Sequence, residues 1–295
     1  MESERGDRAD CPVEGQGALL QIELLLLVPL GIAVGAFGTI VGAGGGFILV
    51  PILLFLFPDE TPQQISAISL FVVLTNAMSG SVAYARQGRI DYRSGLGFAI
   101  GTLPGAVGGA IAVGFIPRRA FDGIFALVLM GLGTYLLVRR GPTMIQEPVT
   151  GRGVVRRTIT DGQGNTFVYS FQMWKGVGLS GVVGFFSSLL GIGGGIMHVP
   201  IMTSILHFPV HIAVATSQFV LGIMAAQGTA VHFSTGTLGW NEPMAQAALL
   251  SAGAIPGAQV GARAARRLRG SVVVRMLAVA LVLVGFRLGL KALGA

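Results

Sequence analysis

Apolar runs recur along the whole chain, separated only by short polar breaks, and their lengths approach the roughly 20 residues that a helix needs to span a bilayer's hydrocarbon layer. In lipid every backbone N–H and C=O must find a partner inside the protein, so only helices or strands closed into a barrel remain available. The runs carry abundant Gly and Pro and no strict alternation of apolar and polar residues, so they read as helices. With 52% hydrophobic and 11% charged residues and a mean hydropathy of +0.74, the chain is expected to be an all-α membrane protein, a polytopic helical bundle. Its single cysteine, Cys11, excludes a disulfide framework or a Cys-based metal site within one chain. The net charge of +7 does not point to nucleic acid, because the Arg residues fall in loops at segment ends, where membrane topology accounts for them. The polar tail over 1–17 precedes a long apolar stretch with no clear cleavage site, which reads as an uncleaved first span.

The chain is written twice. "GAFGTIVGAGGGFILVPIL" from Gly35 matches "GFFSSLLGIGGGIMHVPIM" from Gly184, with Gly42 and Gly191 at an offset of 149 residues. "ISLFVVLTNAMSGSVAYARQG" from Ile68 then matches "TSQFVLGIMAAQGTAVHFSTG" from Thr216, and "GTLPGAVGG" from Gly101 matches "GAIPGAQVG" from Gly253. A first transmembrane repeat over 18–140, a linker over 141–174 and a second repeat over 175–295 follow, each repeat holding a long segment, a glycine break, a short segment and three further long ones. Arg86, Arg89 and Arg93 mark one loop of the first half, and Arg139, Arg140, Arg152, Arg156, Arg157 and Lys175 mark the linker. In the second half the basic loop comes one connection later, at Arg263, Arg266, Arg267 and Arg269. If the first two segments of each half make a net return, the halves are inverted and these loops are all cytoplasmic; Arg118 and Arg119 are the exception. Inverted repeats are a recurring architecture of secondary transporters, with the substrate held near mid-membrane. The linker stretch "VVRRTITDGQGNTFVYSF" from Val154 reads as a β-hairpin or as a bare linker.

A helix broken inside lipid strands backbone groups at a cost of several kcal/mol each, so such a break must face protein or a wet cavity. Gly44, Gly45 and Gly46, with Gly193, Gly194 and Gly195, allow sharp turns and close approach of a solute, and the short helix that follows each break aims its N-terminus at the gap. Two such N-termini would hold a small anion without a desolvated Lys or Arg, provided that they come together and leave room for it. The competing reading is close helix packing. The recurrence of the break in both halves, each time followed by a matching proline, Pro51 and Pro200, favours a site. Gly101, Gly105 and Gly109, with Gly253, Gly257 and Gly261, form ladders at four-residue spacing and are assigned to packing.

The duplicated "G-x-GGG-x(4)-P" blocks and the "PGA" of both halves resemble the sulfite exporter TauE/SafE family, also called the 4-toluene sulfonate uptake permease family. The likeness runs from about Leu24 to Leu290. It implies a multi-spanning permease of the cytoplasmic (inner) membrane, surrounded by lipid, that moves sulfur-containing anions such as sulfite, sulfoacetate or other organosulfonates.

Neutral donors near the breaks suit sulfonate oxygens: Ser69, Thr75 and Asn76 in the first half, Ser217, Gln218 and Gln227 in the second. Each has interhelical bonding as its plain alternative. His198 follows the second break and His232 lies where the first half has Tyr84; either is a candidate for exchanging a proton or for holding the anion when charged, with simple packing as the alternative. No acid falls near the centre of an expected segment and no P-loop is present, which argues against a carboxylate relay, an intramembrane hydrolase or nucleotide hydrolysis by that route. No cofactor or metal is expected. An anion channel, or a transporter of another small organic anion, is the alternative function; the coupling ion and the oligomeric state stay open.

Overall fold

The computed structural model describes residues 13–138, 153–239 and 242–293. Cys11, Arg139, Arg140, Arg152 and most of the polar tail lie outside the described residues. The first half gives α1 (Val13–Val41), α2 (Gly46–Leu56), α3 (Pro62–Ala85), α4 (Tyr92–Ala112) and α5 (Arg118–Val138), with a 3-10 turn, Val113–Phe115, after α4. Two strands follow, β1 (Val154–Thr160) and β2 (Thr166–Gln172), and then α6 (Met173–Leu190), α7 (Gly195–Ser204), α8 (Val210–Ser234), α9 (Glu242–Ala265) and α10 (Gly270–Leu293). Six of these helices are long and apolar enough to cross a membrane: α3, α4, α5, α6, α8 and α10. The protein is an all-α polytopic membrane bundle carrying one small sheet.

Local chemistry sets several boundaries. Thr61 and Gln64 form a reciprocal capping box at the start of α3, with Pro62 at its first position. Asp91 accepts from the Ser94 N–H and so caps α4.

Packing pairs the two halves by exchange. α1 lies along α9 and α4 lies along α6, while α3 meets α8 and α5 meets α10. The glycine ladders explain the first two pairs. Gly101, Gly105 and Gly109 of α4 abut the Val177, Gly181 and Phe185 carbonyls of α6, and Gly253, Gly257 and Gly261 of α9 abut the Val28, Ile32 and Ala36 carbonyls of α1, closer than any Cβ allows. The packing assignment of these glycines is therefore borne out, and both pairs run parallel. α3 and α8 run in opposite directions: Gln63 at the start of α3 donates to Thr237 beyond the end of α8 (3.0 Å), and the Asp91 N–H beyond α3 donates to Thr216 near the start of α8 (3.0 Å). α5 and α10 are also antiparallel, with Gly133 against Leu281 and Gly285 against Met130.

The hairpin caps one end of the bundle. β1 and β2 pair antiparallel from Val154 with Gln172 to Thr160 with Thr166. Its turn grips the α3–α4 loop through the Arg89–Asp161 ion pair (3.0 Å) and a Gly162 N–H to Gln87 carbonyl bond (2.9 Å). Gln87 in turn donates to the Ala262 carbonyl of α9 (3.1 Å). The basic loops of both halves thus share an end with the hairpin. Tyr169 and Phe171 of β2 pack on Phe98 of α4 and Phe208, just before α8. Arg118 lies at the other end, where its guanidinium donates to the carbonyls of Leu54, Pro58 and Glu60 around the end of α2. A cation there neutralises the stranded carbonyls of a helix C-terminus, which accounts for a basic residue outside the basic end.

Candidate functional site

Each break begins where a long helix stops and the chain turns through a run of glycines in left-handed conformation, φ +84° at Gly45 and +60° at Gly194 among them. Those two residues are the N-caps of α2 and α7, and neither receives a side-chain cap bond. The first N–H groups of any helix lack the usual intrahelical partners, and every residue of both breaks is buried; the Gly195 N–H turns to the Gly193 carbonyl (2.6 Å), the Met197 and His198 N–H groups to the Gly194 carbonyl (3.0 and 2.9 Å), and the Ile48 and Leu49 N–H groups to the Gly45 carbonyl (3.1 and 3.0 Å).

The two breaks meet. A Cβ on Gly46 would lie 2.7 Å from the Ile192 carbonyl oxygen and 2.8 Å from that of Gly191, and one on Gly195 would overlap the Gly42 carbonyl and the Ala43 backbone. Backbone thus crosses backbone at the centre of the bundle. The contact is also tight: Leu221 of α8 fills the space beside Gly44 and Val73 of α3 the space beside Gly193. The structure is closed at this point.

Each break is braced by the opposite half. Ser69 donates to the Gly191 carbonyl (2.6 Å), and its counterpart Ser217 donates to the Gly42 carbonyl (3.0 Å). Ser66 adds a bond to the Ser188 carbonyl (3.0 Å). Asn76 donates to the Gly44 carbonyl (3.2 Å) and accepts from Thr39 (3.2 Å), whose hydroxyl also accepts from Gln218 (3.3 Å). Tyr84 donates to the Thr39 carbonyl (2.8 Å). Ser69, Asn76, Ser217 and Gln218 therefore all gather at or beside the breaks.

Other expected residues lie elsewhere. Thr75 donates to the Val72 carbonyl (2.9 Å) and lines a groove of about 650 Å³, open on one side, among Met78, Ser79, Ile255 and Gln259. His198 is buried on α7 with its Nε2 3.2 Å from the Ser180 hydroxyl. His232 is fully buried and neither ring nitrogen has a partner among the described residues; Gln227 Oε1 is likewise unpartnered. Thr39, Ser66 and Tyr84 are structural participants that sequence reading passed over, as are Ser187 and Ser188, whose hydroxyls have no partner among the described residues. The alignment of "GT", Gly38–Thr39, with "SS", Ser187–Ser188, held that signal. Among the described residues no group of His, Cys, Asp and Glu is arranged to hold a metal.

Six membrane-length helices and a pair of shorter ones that follow the breaks, packed by exchange between two matching halves, place the protein among polytopic membrane proteins. The sulfite exporter TauE/SafE family model matches residues 27–288. The chain belongs to that family. It is similar to the probable membrane transporter protein YunE of Bacillus subtilis, at 33% identity over 90% of this chain and 97% of the relative. It is also similar to the probable membrane transporter protein MJ0441 of Methanocaldococcus jannaschii, at 29% identity over 75% and 78%. The probable membrane transporter protein MamO of Paramagnetospirillum magneticum is 24% identical over 88% of this chain and 44% of its own length. No solved structure matches the chain.

Proposed function

We propose that the protein is a secondary permease for a small sulfur-containing anion, sulfite or an organosulfonate, working by alternating access around the crossed glycine breaks. The observation that carries this reading is the pair of buried, uncapped helix N-termini in contact with one another. Partial positive charge concentrated there favours an anion and needs no full cation in the membrane. The sulfur-containing substrate class comes from the family's name.

The antiparallel course of α3 against α8 and of α5 against α10 supports an inverted duplication spanning 18–140 and 175–295, with the linker between. In that arrangement the end bearing the hairpin and the basic loops faces the cytoplasm and the chain sits in the cytoplasmic membrane. Rocking of one half against the other would withdraw Val73 and Leu221 from the breaks, first toward one face and then toward the other. Asn76, Ser69, Ser217 and Gln218 supply the neutral groups around the site, and a proton or another ion is the coupling partner.

Flux into proteoliposomes tests this directly. Saturable uptake of sulfite, sulfoacetate or 4-toluenesulfonate, accelerated by the same anion on the far side, is the expected result. Flux that rises without saturation and shows no counterflow identifies a channel, and no flux of any of the three removes the substrate reading.

A further inference from the structure

The two breaks match in sequence but differ in what faces them. At the first, Gly38 stands one turn before the break, its carbonyl accepts from the Ala43 N–H (2.8 Å) and Gly44 N–H (3.2 Å), and a side chain there would overlap the Gly45 backbone. The neighbouring Thr39 hydroxyl is fully engaged with Asn76 and Gln218. At the second break the matching positions are Ser187 and Ser188, both wholly buried, with neither hydroxyl bonded to anything among the described residues. The Ser187 Oγ lies 3.1 Å from where a Cβ on Gly194, the N-cap of α7, would stand. The Ser188 Oγ is 3.2 Å from the corresponding point on Gly228 of α8. His232, one turn further along α8 from Gly228, carries two unpartnered ring nitrogens.

Buried hydroxyls without partners are costly, and a bond between donor and anion is among the stronger ways to satisfy them. We propose that the solute's oxyanion group is held at the second break alone, by the Ser187 and Ser188 hydroxyls in the positive field of the α7 N-terminus, and that the first break is a hydrogen-bonded scaffold. This rests on the anion-transport reading and narrows it to one subsite. Ser187 replaces a position where the first half admits no side chain at all. The geometry also gives the subsite a side: Ser66, near the start of α3, bonds the Ser188 carbonyl (3.0 Å), which places the hydroxyl pair toward the end of the bundle opposite the hairpin.

Cysteine chemistry separates this assignment from the wider function. In a Cys11→Ser background, Ser187→Cys is a near-isosteric change that preserves packing. Its modification rate by 2-sulfonatoethyl methanethiosulfonate, itself an organosulfonate, is compared with that by the trimethylammonioethyl reagent, each relative to a free thiol. An anion subsite gives about a tenfold or larger preference for the sulfonate reagent, and Thr39→Cys gives none. Equal rates, a cation preference, or no labelling of Ser187→Cys by either reagent overturns the assignment. In parallel, Ser187→Ala should raise KM for sulfite or sulfoacetate about tenfold, roughly the loss of one bond to an anion, with kcat largely kept; an unchanged KM counts against the assignment. If the wild-type protein moves neither anion, the substrate reading fails while the labelling preference still decides whether an anion subsite exists.

Discussion

A single methyl group added at Gly195 would overlap the Gly42 carbonyl and the Ala43 backbone, and no rotamer relieves a clash with main chain. Gly195→Ala is therefore expected to cut transport by more than about tenfold, as is Gly194→Leu, where a branched side chain meets Met224 and the left-handed backbone at once. Both variants should still insert, since the apolar spans are untouched; flux normalised to membrane-inserted protein checks this, and wild-type flux in either would refute the role of the crossing. The glycine triplets were legible in the sequence because their repetition marks a backbone need. So were Ser69 and Ser217, which the duplication aligns and which the structure sets as mirror braces on opposite breaks. Ser187 and Ser188 were not legible as special. Serine is common in helices, and what distinguishes these two is a hydroxyl without a bonding partner placed beside the second break, which is a property of three-dimensional packing.

Among the elements, the hairpin was half readable. β-branched and aromatic residues around a Gly/Asn turn announce strands, but nothing local tells that Asp161 in that turn will bind Arg89, 72 residues earlier. Burial alone would raise the Asp161 carboxyl; bonds from the Arg89 and Asn165 side chains and from the Asn165 and Gln163 backbone N–H groups outweigh it and hold the group down to about 2. Because the folded value lies below the ordinary carboxylate value, the clasp contributes its full stability above about pH 4 and loses it as pH falls toward 2. Protease nicking of the hairpin should accordingly be flat from pH 4 to 8, and an acid-active protease should cleave it faster between pH 4 and 2. In Asp161→Asn that acid dependence should vanish and nicking should be fast at neutral pH. An unchanged rate in Asp161→Asn would show that the aromatic packing of Tyr169 and Phe171 holds the hairpin without the ion pair. Arg118 is a second case where position alone misleads: its charge reads as a topology signal, yet its guanidinium is occupied with carbonyls at the end of α2.

Across the whole molecule, the opposed courses of matching helices give a sidedness that can be measured. Cysteines placed at Gly164, in the hairpin turn, and at Gly236, beyond α8, both exposed positions, are expected to react with an impermeant thiol reagent from opposite faces of the membrane. Labelling of both from one face would sink the inverted arrangement. The repeat itself was visible in the sequence, and so was the shift of basic loops between halves. The partner exchange was not, because a ladder of glycines says that something packs closely and cannot say which helix it is.

That exchange bears on biosynthesis. The α4 ladder stays uncovered until α6 has been made, and α1 waits for α9, more than 200 residues later in the chain. During that interval the nascent first half presents uncovered small-residue grooves to lipid and to neighbouring proteins, so the emerging polypeptide is most open to mispairing, or to capture by insertion chaperones, before its final third leaves the ribosome.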